Sequence, residues 1–480
     1  MCTEGEAKGD GGKLREAFHA DARMFGSIAG MRYDVPIAEL FALAESAPAD
    51  TGNYRSRVLF WSRWRRGLTS RPGRRIVWPI SRIRCQAQEV VTMAVAKTGR
   101  IDEVLETAVG RGDVPGVVAM AADDADVIYE GAAGKRSAAA NDPVTPDTML
   151  RIASMTKMVT TTAALQLYDK GALDLDAPVD TYRPEFADLQ VLEGFDGDTP
   201  RLRPPATRAT VRQLMTHTAG FGYWFWNRDI DRYEQLTGTP NVLPGKDAVF
   251  TSPMVCDPGT CLEYGINTDW LGRVVEAVSA QSLDVYIKAN ITDPLNMTNT
   301  TARMTATQRA NSTPIHTRDQ DGSWVVTDID WAQEPDFWGG GHFLYSTPRD
   351  YLRFQRMLLG RGALGDVRIL DPATVDKAFT NQIGELSFPP SIATAHPELS
   401  ADINLGPDLK WGLGLLLNEK QQPGMRAAGS GAWAGLFNTH FWVDPTSRMT
   451  GSIFSQCLPF GDPAVFQVYV DFERTLYESR

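Results

Sequence analysis

Residues 151–157 read Arg-Ile-Ala-Ser-Met-Thr-Lys, and this stretch places the hydroxyl of Ser154 three positions before the amine of Lys157. The apolar pattern over 154–170 predicts a helix that ends near Gly171. Because positions i and i+3 share one face of a helix, we expect both side chains to point into the same cleft.

A serine beside a lysine is a candidate nucleophile and base for acyl transfer. A serine hydroxyl is a weak nucleophile that needs a neighbouring base, and a lysine serves as that base only when its pKa is lowered. At a helix N-terminus the backbone N–H of Ser154 also lies where an oxyanion would form. The tetrapeptide alone, however, is more often a helix cap followed by a surface lysine.

A tyrosine follows about 110 residues later, in a loop that runs into a second predicted helix over 267–280. Residues 258–267 read Pro-Gly-Thr-Cys-Leu-Glu-Tyr-Gly-Ile-Asn, with Tyr264 near the end of the loop. Near positive charge, such a phenol can act as a second base or as a proton shuttle. Taken alone, it is more often a partly buried structural tyrosine.

A third element, Ala-Trp-Ala-Gly-Leu at residues 432–436, leads into a predicted strand over 438–443. The glycine, Gly435, permits close approach of the backbone to a ligand. The N–H of Leu436 is then a candidate for a second oxyanion donor beside that of Ser154. As an isolated fragment, this is more often a simple glycine bend before a strand.

In this order and spacing, the three elements resemble the serine β-lactamase and penicillin-binding-protein superfamily, whose recurring elements include S-x-x-K. Within it, the sequence resembles class C β-lactamase-like esterases, called family VIII carboxylesterases, and the fungal statin side-chain acyltransferase. Supporting stretches are residues 191–196, 214–220, 339–341 and 442–445. The resemblance covers about residues 98–478 and implies a β-lactamase-like fold.

The resemblance also implies roles for particular residues. Ser154 matches the nucleophile of the family, Lys157 its base and Tyr264 the tyrosine that shuttles the proton. The N–H groups of Ser154 and Leu436 match its oxyanion hole. Trp433, Ala434, Gly435 and Ile266 are the predicted substrate-binding residues, the first three at the place of the K-T-G triad of β-lactamases.

Two departures from the family pattern bear on the substrate. Ile266 stands where class C β-lactamases have the asparagine of Tyr-x-Asn, and Asn267 comes one place late. Trp433 replaces the K-T-G lysine, a charge that faces the β-lactam carboxylate, and losing such a pair costs about 1.5–3 kcal/mol. An aromatic wall suits a neutral acyl or alkoxy group, and residues 223–226, Tyr-Trp-Phe-Trp, either line the same pocket or pack in the protein interior.

The resemblance therefore implies a serine carboxylesterase (EC 3.1.1.-) that cleaves short- to medium-chain esters of small molecules through an acyl-Ser154 intermediate. The alternatives within the superfamily are a β-lactamase, a D-amino-acid peptidase and an acyltransferase. A non-catalytic ligand sensor on the same fold is the alternative from another class.

The order of predicted elements indicates an α/β (α+β) fold in which an antiparallel sheet is flanked by helices. We predict an α/β catalytic domain from residues 93–172 and 335–480, with strands over 411–417, 438–443 and 449–454. Residues 173–334 are predicted to form a mainly helical inserted domain.

Residues 1–92 differ from the rest of the chain. They hold 15 Lys/Arg and 10 Asp/Glu, a net charge of +5, so the remainder carries −16. Residues 55–84 alone contain ten arginines with interleaved tryptophans, a composition that suits binding to RNA or to an anionic membrane. A transit peptide is another interpretation, although the acidic residues at 1–50 argue against it. We interpret 1–92 as an atypical Arg-rich extension, either disordered or translated from a misassigned start.

Composition excludes several other classes. The acidic main body argues against nucleic acid as its partner, and no apolar run is long enough to predict a membrane-spanning helix. Scattered histidines and the absence of His-Glu-x-x-His or a phosphate-binding glycine loop predict no metal and no cofactor. Ser430, in Ala-Gly-Ser-Gly-Ala, lacks the glycine spacing of an α/β-hydrolase elbow.

The five cysteines and the lack of a recognisable signal peptide lead to an expected cytoplasmic location. Cys256 and Cys261 flank a Pro-Gly turn where a disulfide is conceivable, but free thiols in a reducing compartment are the favoured expectation.

Overall fold

The computed structural model describes residues 23–28, 31–36 and 99–480, which fall in two units, Met1–Ile80 and Ser81–Arg480. In the first unit, strand β1 (Arg23–Ile28) pairs with strand β2 (Met31–Pro36) as an antiparallel hairpin. The binding surface predicted over 55–84 lies outside the described residues.

The elements of the second unit follow in chain order. The helices are α1 (99–110), α2 (Thr156–Asp169), α3 (Val211–Met215), α4 (Arg228–Thr237), α5 (Asn267–Ser279), α6 (Leu283–Ile287), α7 (Ala306–Ala310), α8 (Pro348–Leu359), α9 (Pro372–Ala378) and α10 (Pro463–Glu478). The longer strands are β3 (Gly116–Asp123), β4 (Val127–Gly134), β6 (Val191–Asp196), β7 (Thr199–Arg203), β17 (Gly431–Gly435), β18 (Thr439–Asp444) and β19 (Met449–Phe454). The shorter strands are β5 (Leu150–Arg151), β8 (His316–Arg318), β9 (Trp324–Val326), β10 (Tyr345–Ser346), β11 (Ala363–Leu364), β12 (Val367–Arg368), β13 (Ser391–Ile392), β14 (Ile403–Asn404), β15 (Leu409–Trp411) and β16 (Leu416–Asn418).

Seven of these strands form an antiparallel sheet in the order β15-β16-β17-β18-β19-β3-β4. Strands from the C-terminal part of the chain therefore continue directly into the hairpin β3–β4. The predicted antiparallel sheet with flanking helices is confirmed.

The sheet is buried on both faces, as strand β3 illustrates. Successive side chains of a strand point to opposite faces. Val117 and Ala119 pack with residues of α1 and α10, whereas Val118 and Met120 cluster with Leu352 of α8. Helix α2 lies within the large core cluster and packs against α5, so the region around Ser154 rests on buried structure.

The predicted single strand over 411–417 is wrong. Strand β15 ends at Trp411 and pairs back with β16, which begins at Leu416. Gly414 lies in the intervening turn with a φ of +80°, a conformation that glycine adopts without a side-chain penalty. The alternation of apolar residues continues through this turn and so concealed it.

The region 173–334 contains α3–α7 and two antiparallel hairpins, β6–β7 and β8–β9. It is therefore less purely helical than its sequence indicates, and its separation as an inserted domain stays a prediction. Among the described helices, none combines the length and the apolar character required to cross a bilayer.

The expectation of free thiols at Cys256 and Cys261 is wrong, because the two residues form a disulfide. The turn between them contains Gly259 with a φ of +85°, and it brings the two Cα atoms to 6.5 Å, within disulfide reach. The disulfide closes a loop that ends three residues before Tyr264. Cys457 is a buried free cysteine.

Candidate active site

Ser154 lies in a short 3₁₀ turn, Ala153–Met155, immediately before α2. Ala153 has a φ of +43°, in the left-handed region that a residue with a side chain rarely adopts. Such strain persists only where neighbouring structure fixes the backbone, and it is concentrated at functional sites. Here the Tyr351 hydroxyl donates to the Met155 carbonyl at 2.9 Å, which fixes the turn from the adjacent helix.

Lys157 lies one turn further on, in α2, and is only 1% exposed. Its Nζ lies 3.1 Å from Ser154 Oγ, 3.0 Å from the Tyr223 hydroxyl and 3.0 Å from the Gly341 carbonyl oxygen. Burial lowers the pKa of Lys157 to about 7, although the nearby carboxylate of Asp269 acts in the opposite direction. A substantial fraction of the amine is therefore neutral near pH 7 and able to accept a proton.

Tyr264 also lies close to this amine, with its ring centre 4.7 Å from Lys157 Nζ. Its hydroxyl accepts a hydrogen bond of 2.9 Å from Trp433 Nε1. Burial raises the pKa of Tyr264, and this effect outweighs the hydrogen bonds to Ser154 and Trp433 that favour the ionised phenol. A phenol that is neutral near pH 7 is suited to passing a proton on rather than to holding a permanent negative charge.

The segment Trp433-Ala434-Gly435 forms most of β17 and contributes an aromatic wall. The Trp433 ring lies 4.9 Å from Tyr264, 4.6 Å from Trp411 and 5.9 Å from Phe388, measured between ring centres. The Trp226 ring lies 5.4 Å from Tyr264, so the aromatic cluster at 223–226 reaches the same site.

The close approach of β17 to the serine turn depends on Gly435. A Cβ atom at this position would lie 2.3 Å from the Ile152 carbonyl oxygen and 2.4 Å from Thr439 Oγ1. The next residue, Leu436, has an N–H for which no described residue supplies an acceptor. This N–H and that of Ser154 stay the predicted oxyanion donors.

Three residues to which the sequence assigned no role at the amine complete the surroundings of Lys157: Tyr223 of the aromatic cluster at 223–226, Asp269 and Gly341. The Gly341 N–H donates to Asp269 Oδ1 at 3.0 Å, while the Gly341 carbonyl accepts from Lys157. A Cβ on Gly341 would lie 2.7 Å from Asp269 Oδ2, 2.9 Å from the Tyr223 hydroxyl and 3.0 Å from Lys157 Nζ. The triple glycine at 339–341 was the available signal for this close packing.

Tyr223 is held beside Tyr264 because its N–H donates to the Tyr264 carbonyl at 3.2 Å. Burial, together with the neighbouring Asp269, raises the pKa of Tyr223 well above its usual value. Its hydroxyl thus stays protonated and can exchange hydrogen bonds with Lys157 and with Asp269.

The start of α5 is buried and differs from the family pattern in the way the sequence indicated. Ile266 is 4% exposed and belongs to the large core cluster, and its substrate-binding role stays a prediction. The side-chain Nδ2 of Asn267 lies within hydrogen-bond distance of His217 Nδ1 and of the carbonyl oxygens of Phe221 and Glu263, all at 3.1 Å. Asn267 therefore braces the loop that carries Tyr264.

The three histidines near the motifs, His217, His342 and His440, lie in different environments. Burial, assisted by Lys157, lowers the pKa of His217 well below its usual value, so this ring is a neutral packing partner of Tyr264 at 4.5 Å. His342 Nδ1 lies 3.6 Å from Asp269 Oδ1. His440 stacks on Tyr469 at 4.5 Å, and burial lowers its pKa to about 3.

Comparison with known proteins gives the family. The Beta-lactamase family model matches residues 101–473, and the chain belongs to this family of serine enzymes. It is 30% identical over 402 residues to the monacolin J acid methylbutanoyltransferase of Aspergillus terreus, covering 78% of this chain and 95% of the relative. It is also 30% identical over 401 residues to the lovastatin esterase of Penicillium rubens, covering 79% and 98%.

Solved structures show the same architecture. Unliganded simvastatin synthase (LovD) of Aspergillus terreus superimposes with a TM-score of 0.68 at 27% identity, over 79% of this chain and 98% of that chain. EstCE1, described as a hydrolase with promiscuous acyltransferase activity, gives 0.65 at 19% identity, over 81% and 100%, and supports the fold alone. The chain thus belongs to a superfamily whose members include serine esterases and acyltransferases.

Proposed function

We propose that this protein transfers the acyl group of a neutral, short- to medium-chain carboxylic ester to water through a covalent intermediate on Ser154. The observation that carries the proposal is the 3.1 Å contact between Ser154 Oγ and a lysine amine that burial brings to a pKa of about 7. No other base is needed for the first proton transfer.

In the first step, the neutral amine of Lys157 takes the proton of Ser154, directly or by way of the Tyr264 hydroxyl, and Ser154 Oγ attacks the ester carbonyl carbon. The negative charge on the former carbonyl oxygen is stabilised by the N–H groups of Ser154 and Leu436. When the tetrahedral intermediate collapses, the C–O bond to the leaving group breaks, and the alcohol departs with the proton from Lys157 and Tyr264.

In the second step, water enters the position that the alcohol has left. Lys157 and Tyr264 remove a proton from it, the hydroxide attacks the acyl carbon, and Ser154 leaves with the returned proton. The acid and the free enzyme result, so atoms and charges balance over the cycle.

The proposal is tested with p-nitrophenyl butyrate and nitrocefin as substrates. We expect ester hydrolysis to exceed nitrocefin turnover and to be lost in Ser154→Ala, while the matched variant Ser447→Ala, in an exposed turn, stays active. Unchanged ester hydrolysis in Ser154→Ala would refute the proposal. Faster nitrocefin turnover would favour a β-lactamase, hydrolysis of D-amino-acid peptides a peptidase, and a stable acyl adduct without turnover a ligand sensor.

Acyl transfer to an alcohol is the second candidate, and the similarity to a methylbutanoyltransferase of Aspergillus terreus favours it. It requires only that an alcohol rather than water occupy the acceptor position in the second step. Adding an alcohol to the ester reaction distinguishes acyl transfer from hydrolysis. A new ester at the expense of free acid indicates a transferase, whereas unchanged acid yield indicates a hydrolase.

One structural feature argues against the expected cytoplasmic location. Disulfides persist mainly in oxidising compartments, and Cys256 and Cys261 form one here. Cell fractionation with alkylation of thiols before reduction tests this expectation. Cytoplasmic protein with both thiols alkylated would support it, and a protected pair would contradict it.

A further inference from the structure

Asp269 lies in the first turn of α5 and is completely buried. A buried carboxylate is costly unless it is hydrogen-bonded or paired, so its partners indicate what it does. Its Oδ1 accepts a hydrogen bond from the Gly341 N–H at 3.0 Å, and its Oδ2 lies 3.4 Å from the Tyr223 hydroxyl oxygen. Gly341 and Tyr223 are also the two residues that, besides Ser154, make polar contacts with the amine of Lys157. Asp269 therefore supports both of these contacts.

Gly341 connects the carboxylate to the amine through its backbone. Its N–H donates to Asp269, whereas its carbonyl oxygen accepts from Lys157 Nζ at 3.0 Å. The three groups are packed too closely for a side chain, since a Cβ on Gly341 would lie 2.7 Å from Asp269 Oδ2 and 3.0 Å from Lys157 Nζ. The carboxylate thus fixes the backbone whose carbonyl receives one hydrogen of the amine.

The hydroxyl of Tyr223 is the second connection. A phenol donates one proton and also accepts through its oxygen. The oxygen lies 3.0 Å from Lys157 Nζ and 3.4 Å from Asp269 Oδ2, the latter being long for an O–H···O hydrogen bond. Because the carboxylate is charged, it attracts the phenol proton more strongly than a neutral amine does. The proton therefore points to Asp269, which leaves the oxygen free to accept from Lys157.

These contacts determine where the lone pair of the amine points. The neutral amine, the form that can take a proton, has two N–H bonds and one lone pair. One N–H is directed to the Gly341 carbonyl and the other to the Tyr223 oxygen. The lone pair is then left for the third neighbour, Ser154 Oγ at 3.1 Å. A base must present its lone pair to the proton that it removes, so this arrangement prepares Lys157 for Ser154.

The charge of Asp269 also affects the strength of the base. Burial lowers the pKa of Lys157 to about 7, and the carboxylate of Asp269 acts in the opposite direction. Without this carboxylate the amine would be a weaker base, because a nearby negative charge favours its protonated form. The other titratable side chains that face the amine or the carboxylate are His217, Tyr223, Tyr264 and His342. Neither a histidine nor a protonated tyrosine replaces the negative charge.

We propose that Asp269 is a positioning residue for acyl transfer, which directs the lone pair of Lys157 toward Ser154 by accepting hydrogen bonds from Gly341 and Tyr223. The inference rests on the proposed role of Lys157 as the base. Asp269 acts through Lys157, without contact to the substrate, and remains a carboxylate through both steps of the reaction.

The variant Asp269→Asn removes the charge at nearly the same volume. Its amide oxygen can keep the Gly341 N–H, so its amide nitrogen faces the Tyr223 hydroxyl. Because this nitrogen only donates, the phenol proton turns to Lys157 and occupies the lone pair that Ser154 requires. At high pH, kcat for p-nitrophenyl butyrate should fall by about ten-fold with KM unchanged. Adding Tyr223→Phe to this variant should cost no further activity, because the competing proton is then absent.

The amine itself is followed by ¹³C NMR of the full-length protein labelled at the ε-carbon of lysine, and its resonance is assigned by its loss in Lys157→Met. The titration midpoint should lie at about pH 7 in the wild type. In Asp269→Asn the midpoint, and with it the acidic limb of kcat/KM, should move down by about one pH unit or more. A purely structural role would lower kcat without this shift. Asp198→Asn, in the exposed turn between β6 and β7, is the matched control and should change neither quantity.

An unchanged midpoint or an unchanged kcat in Asp269→Asn would overturn the proposal. A further ten-fold loss on adding Tyr223→Phe would overturn it as well, because the two residues would then act independently. If circular dichroism shows that Asp269→Asn is unfolded, Asp269→Ser is titrated in its place and must give the same downward shift. The ¹³C resonance reports on the amine without turnover, so failure of this inference is distinguished from failure of the proposed function, which Ser154→Ala decides.

Discussion

The two walls of the catalytic cleft differ in the kind of contact that they offer. On the helix wall, the amine of Lys157 makes polar contacts with Ser154, Tyr223 and the Gly341 carbonyl. On the strand wall, Trp433 presents an aromatic ring where β-lactamases present a lysine. We therefore propose that the helix wall governs the reactivity of the serine, whereas the strand wall governs which substrates are accepted.

The largest effect is expected from removing the base on the helix wall. Lys157→Met should lower kcat/KM for p-nitrophenyl butyrate by about 1,000-fold, because positioned proton transfer contributes about 10²–10⁴-fold. Lys170→Met, at the exposed end of the same helix, is the matched control. Comparable activity of both variants, with circular dichroism showing intact folds, would contradict the role of Lys157.

The two tyrosines beside the amine should differ in importance. Tyr264→Phe should reduce kcat by about 100-fold, because it removes the hydroxyl that contacts both Ser154 and Trp433. Tyr223→Phe should reduce kcat by only about ten-fold, because Lys157 keeps its contacts with Ser154 and Gly341. Steady-state measurement of kcat tests this difference. A larger loss of kcat in Tyr223→Phe than in Tyr264→Phe would make Tyr223, rather than Tyr264, the tyrosine that passes the proton.

Restoring a charge on the strand wall should change selectivity rather than reactivity. In Trp433→Lys, the ratio of kcat/KM for an anionic p-nitrophenyl hemisuccinate over neutral p-nitrophenyl butyrate should rise by about 10-fold or more, because a charged hydrogen bond contributes about 1.5–3 kcal/mol. Trp433→Gln separates loss of the ring from gain of the charge. Equal ratios in the two variants would show that the wall does not select for charge.

The pH dependence should reveal the amine through its lowered pKa. In the proposed mechanism the neutral form of Lys157 is the active one. Because its pKa is about 7, kcat/KM should be flat above pH 8 and fall about ten-fold per pH unit well below pH 7. The raised pKa of Tyr264 places its ionisation above this range. A profile that stays flat from pH 5 to 8 in the wild type would exclude Lys157 as the base.

Much of this molecule could be predicted because its signals are local. The predicted strand over 438–443 and the spacing of Ser154 and Lys157 are properties of short segments. The convergence of Tyr223, Asp269 and Gly341 on the amine could not be predicted, because these residues meet only after α5 and the 339–341 loop pack around α2. The periodicity of apolar residues in the sequence does not indicate which distant residues come into contact.

The errors have similar origins. The turn at Gly414 lies inside an apolar run. Because the alternation of apolar residues continues through the turn, the sequence pattern gives no sign that the chain reverses direction there. The disulfide between Cys256 and Cys261 depends on the geometry of the four-residue loop between them rather than on composition.

The central claim is that Ser154 is acylated with Lys157 as its base, and the most direct measurement is mass spectrometry of protein quenched during turnover of p-nitrophenyl butyrate. We predict a mass increase of one butyryl group, about 70 Da, on the peptide that contains Ser154, and almost none in Lys157→Met at the same time point. Turnover without any adduct on that peptide, or an adduct on another residue, would contradict the account.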